Sequence, residues 1–145
     1  MKKILVLNGP NLNLLGKREP EIYGYETLDD INNELKEIAL KNNHVIEAIQ
    51  SNSESEIVSI LQKSFLENNY IAIIINAAAY THTSIAILDS LKLFSVPIME
   101  VHITDPMQRE EFRHFSYISQ VAKKIFKGEG KISYIKALKE ILDTH

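Results

Sequence analysis

Apolar positions along this chain follow two alternating rhythms. Ile4–Leu7 and Ile71–Ile75 are near-continuous aliphatic runs, the pattern of parallel strands buried on both faces. Between such runs, apolar residues recur at three- and four-residue spacing, as in helices that bury one face. The spacing predicts strands over 3–7, 44–50, 71–75, 97–102 and 121–126. It predicts helices over 28–41, from Ser53 onward, 84–94 and 133–142. Thr27 with Asp30, and Ser53 with Glu56, have the spacing of helix starts. The apolar faces are Leu28, Ile31, Leu35, Ile38 and Ala39 in the first helix and Ile57, Ile60, Leu61 and Phe65 in the second. In the last helix they are Tyr134, Ala137, Leu138 and Ile141.

Five strands alternating with helices imply a doubly wound, five-stranded parallel α/β sheet in a three-layer αβα arrangement, flavodoxin-like in size. The strand order 2-1-3-4-5 is expected by analogy with that fold, because periodicity carries no information on order. At 145 residues, with no repeat, linker or low-complexity tract, one domain over 1–145 is expected.

Composition narrows the chemistry. No cysteine is present, which excludes thiolate catalysis, disulfides and cysteine-ligated zinc, and fits a cytoplasmic enzyme. A formal charge of −3 with dispersed basic residues gives no electrostatic reason to bind nucleic acid. The opening Met-Lys-Lys-Ile-Leu-Val-Leu is interrupted by Asn8 and Gly9 far short of a membrane or secretion segment, and reads as the first strand.

Open α/β sheets bind ligands beyond the carboxyl ends of their strands. Three loops converge there. The first carries Asn11, Arg18 and Tyr23, with a permanent cation and a phenol between Gly16 and Gly24 in a segment free to close. The third is Asn76-Ala-Ala-Ala-Tyr-Thr-His82-Thr-Ser; alone, it reads as a helix start capped by Thr83 or Ser84, with His82 exposed. The fourth follows Glu100-Val-His102-Ile103-Thr104, where strand period two turns Glu100 and His102 to one side, so that a carboxylate can orient or charge an imidazole. Arg109 and Arg113 come next at a helical spacing that by itself suits a salt-bridged surface helix.

Glu100, His102 and His82 could in principle hold a metal, but the arginines nearby repel a cation and attract a carboxylate, so no metal is expected. Nucleotide motifs fail: the first loop lacks G-x-G-x-x-G spacing, and Gly128-Glu-Gly-Lys131 is not a P-loop. Those glycines are expected to turn the fifth strand into the last helix. A receiver domain would need an N-terminal acidic pair that is missing here.

Taken together, Asn8-Gly-Pro-Asn-Leu-Asn-Leu-Leu-Gly-x-Arg-Glu-Pro-x-x-Tyr-Gly, Asn76-x-x-x-x-Thr-His-Thr-Ser, Glu100-Val-His and Arg109-Glu-x-Phe-Arg113 resemble type II 3-dehydroquinate dehydratase, the small dehydroquinase. The resemblance runs through essentially the whole chain. It implies a homododecamer built from trimers, no cofactor, and reversible loss of water from 3-dehydroquinate to give 3-dehydroshikimate in the shikimate pathway. It implies Tyr23 as proton acceptor, Arg18 as the group that keeps it reactive, and His102, paired with Glu100, as proton donor. Asn11 would position a water. Asn76, His82, Ile103, Thr104 and Arg113 would contact substrate, and Asp89 would reach a neighbouring subunit's site. The chain departs from the family pattern at Thr104-Asp105, where Ser-Asn is usual, and at Ala77–Ala79, where Pro or Gly is common. Asp105 must therefore point away from an anionic substrate.

The chemistry is demanding. Taking a proton α to a ketone needs a base that titrates near working pH, whereas an ordinary phenol titrates near ~10. The gap corresponds to roughly 4 kcal/mol of preferential phenolate stabilisation, which a cation in a closed, dry site can supply. The competing Schiff-base route belongs to eight-stranded barrels of about 250 residues, too long for this chain. A non-catalytic binder of small acids on the same fold is the alternative from another class.

Overall fold

Strand period two decides which helix each sheet residue meets. In the computed structural model, which describes residues 1–145, the strands are β1 (Lys2–Asn8), β2 (His44–Gln50), β3 (Tyr70–Asn76), β4 (Ile98–His102) and β5 (Lys124–Lys127). The helices are α1 (Pro20–Tyr23), α2 (Leu28–Lys41), α3 (Glu54–Glu67), α4 (Ile85–Leu91) and α5 (Lys131–Asp143). Ile4 and Val6 of β1, Ala72 and Ile74 of β3, and Met99 and Val101 of β4 pack with α2 and α5. The alternate residues Leu5, Leu7, Ile73, Ile75 and Ile98 pack with α3 and α4. The result is a three-layer αβα sandwich around one parallel sheet in the order β2-β1-β3-β4-β5.

Local chemistry sets the element ends. Thr27 and Asp30 form a reciprocal capping box at the start of α2, and Ser53 accepts from the Glu56 N–H at the start of α3. α4 stops at Leu91, short of the Phe94 expected from periodicity, because the chain tightens into i→i+3 bonds from Leu93 to Ser90 and Phe94 to Leu91. β5 begins at Lys124, later than expected, because Ile118–Gln120 form a 3-10 turn and only the Lys123 N–H, bonded to the Ile98 carbonyl at 2.7 Å, joins the chain to the sheet. Phe65, expected in the core, is 40 % exposed and meets Phe94 edge-on at the end of α3. Gly128 and Gly130, at φ +81° and +60°, make the turn from β5 into α5.

At the carboxyl edge, Asn8 and Asn76 are register partners at the ends of β1 and β3. Gly9 follows, donating to the Asn76 carbonyl at 2.8 Å. A Cβ at Gly9 would lie 2.4 Å from the Ala77 carbonyl oxygen, so only glycine lets the first and third loops approach this closely. Tyr134 from α5, fully buried, ties the two strand ends from below: its hydroxyl donates to Asn8 Oδ1 at 2.6 Å and accepts from Asn76 Nδ2 at 2.9 Å.

Candidate active site

The three loops enclose a cavity of about 240 Å³ above this edge. Of the residues singled out in the sequence, Asn11, Arg18, Tyr23, Asn76, His82, His102, Ile103, Thr104 and Arg113 line it, and Arg109 lines it with them. Three arginines and no acid face the cavity. A chain of net charge −3 therefore concentrates positive charge at this one place, as a site for a small anionic ligand requires.

Tyr23 closes α1 and is held by two guanidiniums. Arg109 Nη1 donates to its hydroxyl at 2.9 Å. Arg18 lies over its ring, 4.6 Å from the centroid. The sequence suggested Arg18 as the phenol's cation; the hydroxyl's own partner is Arg109, 86 residues away. The helix suggested by the Arg109–Arg113 spacing does not form. Arg109 adopts extended backbone between two one-turn 3-10 segments, Pro106–Gln108 and Glu111–Arg113, which frees its side chain to reach Tyr23. Glu110 pairs with Arg113 at 2.9 Å and holds that arginine beside the cavity.

Glu100 and His102 end β4 on the same face, as period two requires, with His102 Nε2 and Glu100 Oε2 2.5 Å apart. His102 lines the cavity, whereas Glu100 is buried behind it and does not. Glu100 is therefore a positioning residue. Burial alone would raise its carboxyl, but hydrogen bonds from His102, Ser119 and Ser116, together with the charge of His102, hold it below the usual glutamate range. An ionised carboxylate only accepts, so His102 Nε2 must carry a hydrogen, and Nδ1 is left for exchange with a ligand.

His82 is half-buried in the cavity wall, not merely exposed. Its Nδ1 donates to the Phe115 carbonyl at 2.8 Å. Burial, opposed in part by that bond, lowers its affinity for a proton, so Nε2 of the neutral ring is an acceptor for a ligand hydroxyl. Ser84, not Thr83, caps α4, accepting from the Ile87 N–H. Ala78, in the alanine run where the family commonly has Pro or Gly, sits at φ +52°, a left-handed conformation that favours glycine. The Asn76 Oδ1, accepting from its N–H at 3.1 Å, helps hold it there.

Asp105 turns away from the cavity, as an anionic ligand demands: it accepts from the Met107 N–H at 3.0 Å and pairs with Lys127 at 3.3 Å. Asp89 is exposed on α4 and does not line this chain's cavity. No group of three His, Asp or Glu side chains is arranged to hold a metal ion. No helix is long and apolar enough to cross a membrane.

Comparison with known proteins agrees with this geometry. The family model described as dehydroquinase class II matches residues 2–142. A 3-dehydroquinate dehydratase of Glaesserella parasuis is 49% identical over 138 residues, 95% of this chain and 92% of that protein. One from Hyphomonas neptunium is 50% identical over 141 residues, 97% of this chain and 93% of that protein. The type II dehydroquinase of Butyrivibrio crossotus superposes with a TM-score of 0.92 at 41% identity, covering 97% of each chain. Over nearly its full length, in sequence as in structure, the chain belongs to the class II dehydroquinase family.

Proposed function

We propose that this chain is a hydro-lyase that removes water reversibly from 3-dehydroquinate to give 3-dehydroshikimate, by anti elimination through an enolate, in the shikimate pathway to aromatic amino acids. The observation that carries the mechanism is the Tyr23 hydroxyl, bonded by Arg109 and backed by Arg18, in the same small cationic cavity as the carboxylate-backed His102.

Each residue's part follows from its surroundings. Tyr23, as phenolate, takes the proton from the carbon α to the ketone, and the two guanidiniums stabilise negative charge on its oxygen beforehand. Electron density moves into the enolate, which a water held by Asn11 supports. Collapse of the enolate breaks the C–O bond to the β-hydroxyl, and His102, as an imidazolium with one N–H bonded to Glu100, delivers the proton of Nδ1 to the departing oxygen, which leaves as water. Arg113, Thr104 and the Ile103 backbone hold the substrate carboxylate, and His82 and Asn76 hold its hydroxyls. No step needs a cofactor or a metal.

Asp89 is proposed to complete the site of a neighbouring subunit in a dodecamer of trimers. Support comes from α4: Ile85 is 54% exposed, and Asp89, one turn further on, is exposed on the same face of the helix. The experiment is direct. Purified protein with EDTA and 3-dehydroquinate should develop the absorbance of a conjugated enone. Binding without that absorbance would assign the chain to small-acid binding instead.

A further inference from the structure

The Glu100 carboxylate has more partners than the histidine it orients. Ser119 Oγ donates to Oε1 at 2.5 Å, and Ser116 Oγ donates to Oε2 at 2.7 Å, on the same oxygen that meets His102. Both serines lie in the segment just before β5 and do not line the cavity, and nothing in the proposed chemistry uses them. The same segment receives the His82 ring through the Phe115 carbonyl, and its Tyr117 N–H bonds the Thr81 carbonyl at 2.9 Å.

A carboxylate that is 2 % exposed would ordinarily resist ionisation. It would also be free to turn about its last torsion, which is broad for glutamate. One donor on each oxygen removes both freedoms. The hydroxyls compensate the charge, and they fix the carboxylate plane so that Oε2 meets His102 Nε2.

We propose that Ser119 and Ser116 are positioning residues for the reaction: they keep Glu100 ionised and oriented, and through it hold His102 with Nδ1 turned to the substrate. The proposal rests on His102 being the proton donor. Ser119 is the cleaner of the two, because Glu100 is its hydroxyl's partner, whereas Ser116 Oγ also accepts from the Ser119 N–H at 3.0 Å and so shapes the turn. Other charged or titratable groups around the dyad are His82 from the third loop, Arg113, and Asp105 with its partner Lys127.

The test reads the carboxyl itself. Protein with ¹³C-labelled glutamate is titrated by NMR, with the Glu100 signal assigned by its loss in Glu100→Gln. Wild type, Ser119→Ala, Ser116→Ala/Ser119→Ala and Ser119→Thr are compared. The Glu100 midpoint should rise by about one pH unit in Ser119→Ala, further in the double variant, and return toward wild type in Ser119→Thr, which keeps the hydroxyl. On 3-dehydroquinate, kcat should fall about tenfold in Ser119→Ala with KM within about twofold, because substrate contacts are untouched. An unchanged midpoint in the alanine variants, or an equal rise in Ser119→Thr, overturns the proposal even if the wild type is a competent dehydratase. A midpoint that moves as expected in a protein that turns over no 3-dehydroquinate overturns the proposed function, and with it the serines' part in the reaction, while their hold on the Glu100 carboxylate stands; a midpoint that moves with kcat unchanged overturns the positioning role alone.

Discussion

Arg109 donates to the Tyr23 hydroxyl at 2.9 Å, so the phenol of the first loop is held by a guanidinium from the segment after β4. Arg18, its neighbour in the loop, contacts the ring instead, 4.6 Å from the centroid. Both guanidiniums lie over the ring, Arg109 at 5.3 Å from the centroid, but only Arg109 also bonds the hydroxyl. Both charges therefore favour the phenolate, and Arg18, which lines the cavity beside the ring, also bounds the substrate's space.

This division predicts different losses. Arg109→Gln should lower kcat by about 10²-fold, the usual cost of removing a donor aimed at developing charge, and should move the acidic limb of the pH profile to higher pH. Arg18→Gln should do the same and also raise KM, because Arg18 bounds the substrate's space. Profiles for the two variants that coincide with wild type would contradict the assignment of either cation to the phenol.

The lysine-imine route makes an opposite prediction from the enolate route. Borohydride added with substrate should leave the enzyme active, and mass spectrometry should show no reduced adduct on any lysine. Exchange at the proton-bearing carbon should follow anti stereochemistry. An adduct of substrate mass on a lysine would exclude the mechanism proposed here.

The β-sheet and its helices were legible in the sequence because burial imposes period two on strands and near-3.6 on helices. Leu28–Lys41 and His44–Gln50 coincide with α2 and β2 for that reason. Helix ends governed by capping side chains, Thr27 and Ser53, were equally readable. The ends at Leu91 and Lys124 were not, since they depend on 3-10 turns whose i→i+3 bonds leave no periodic trace. Within the site, Glu100 and His102 could be paired from strand parity. Arg109 with Tyr23, and Ser119 with Glu100, could not: the contacts are tertiary, spanning 86 and 19 residues. Helical periodicity places Tyr134 in the core, where it lies, and its hydroxyl carries a further signal that periodicity does not use. A buried phenol needs a polar partner, and here the partners are the two strand-end asparagines.

Glu100 should mark the acid side of stability. Its folded proton affinity is lowered, so on acidification the unfolded chain takes up its proton first, near the ordinary glutamate value of about 4.3. The ion-paired carboxylate thus stabilises the fold fully above that pH and loses its contribution as pH falls through the lower folded value. The Tm difference between wild type and Glu100→Gln should be largest near neutrality and shrink below about pH 4.5. A difference that stays constant across that range would remove Glu100 from the account of acid stability.

Assembly should matter to activity. A Tyr23→Phe chain and an Asp89→Ala chain, each inactive alone, should recover part of the activity when dissociated and reassociated together, because mixed sites can pair an intact Tyr23 with a neighbour's intact Asp89. Native mass spectrometry establishes that mixing has occurred. Verified mixed assemblies with no recovered activity would show that Asp89 does not serve a neighbour's site.

The central claim, that the Tyr23 phenol is the base, is tested most directly by following enone formation from 3-dehydroquinate in wild type and Tyr23→Phe, with substrate affinity measured separately by calorimetry. Only the hydroxyl that Arg109 contacts is removed. The account predicts that Tyr23→Phe folds and binds substrate within about threefold of wild type while kcat falls by about 10³-fold. A Tyr23→Phe protein that retains most of its turnover would contradict it.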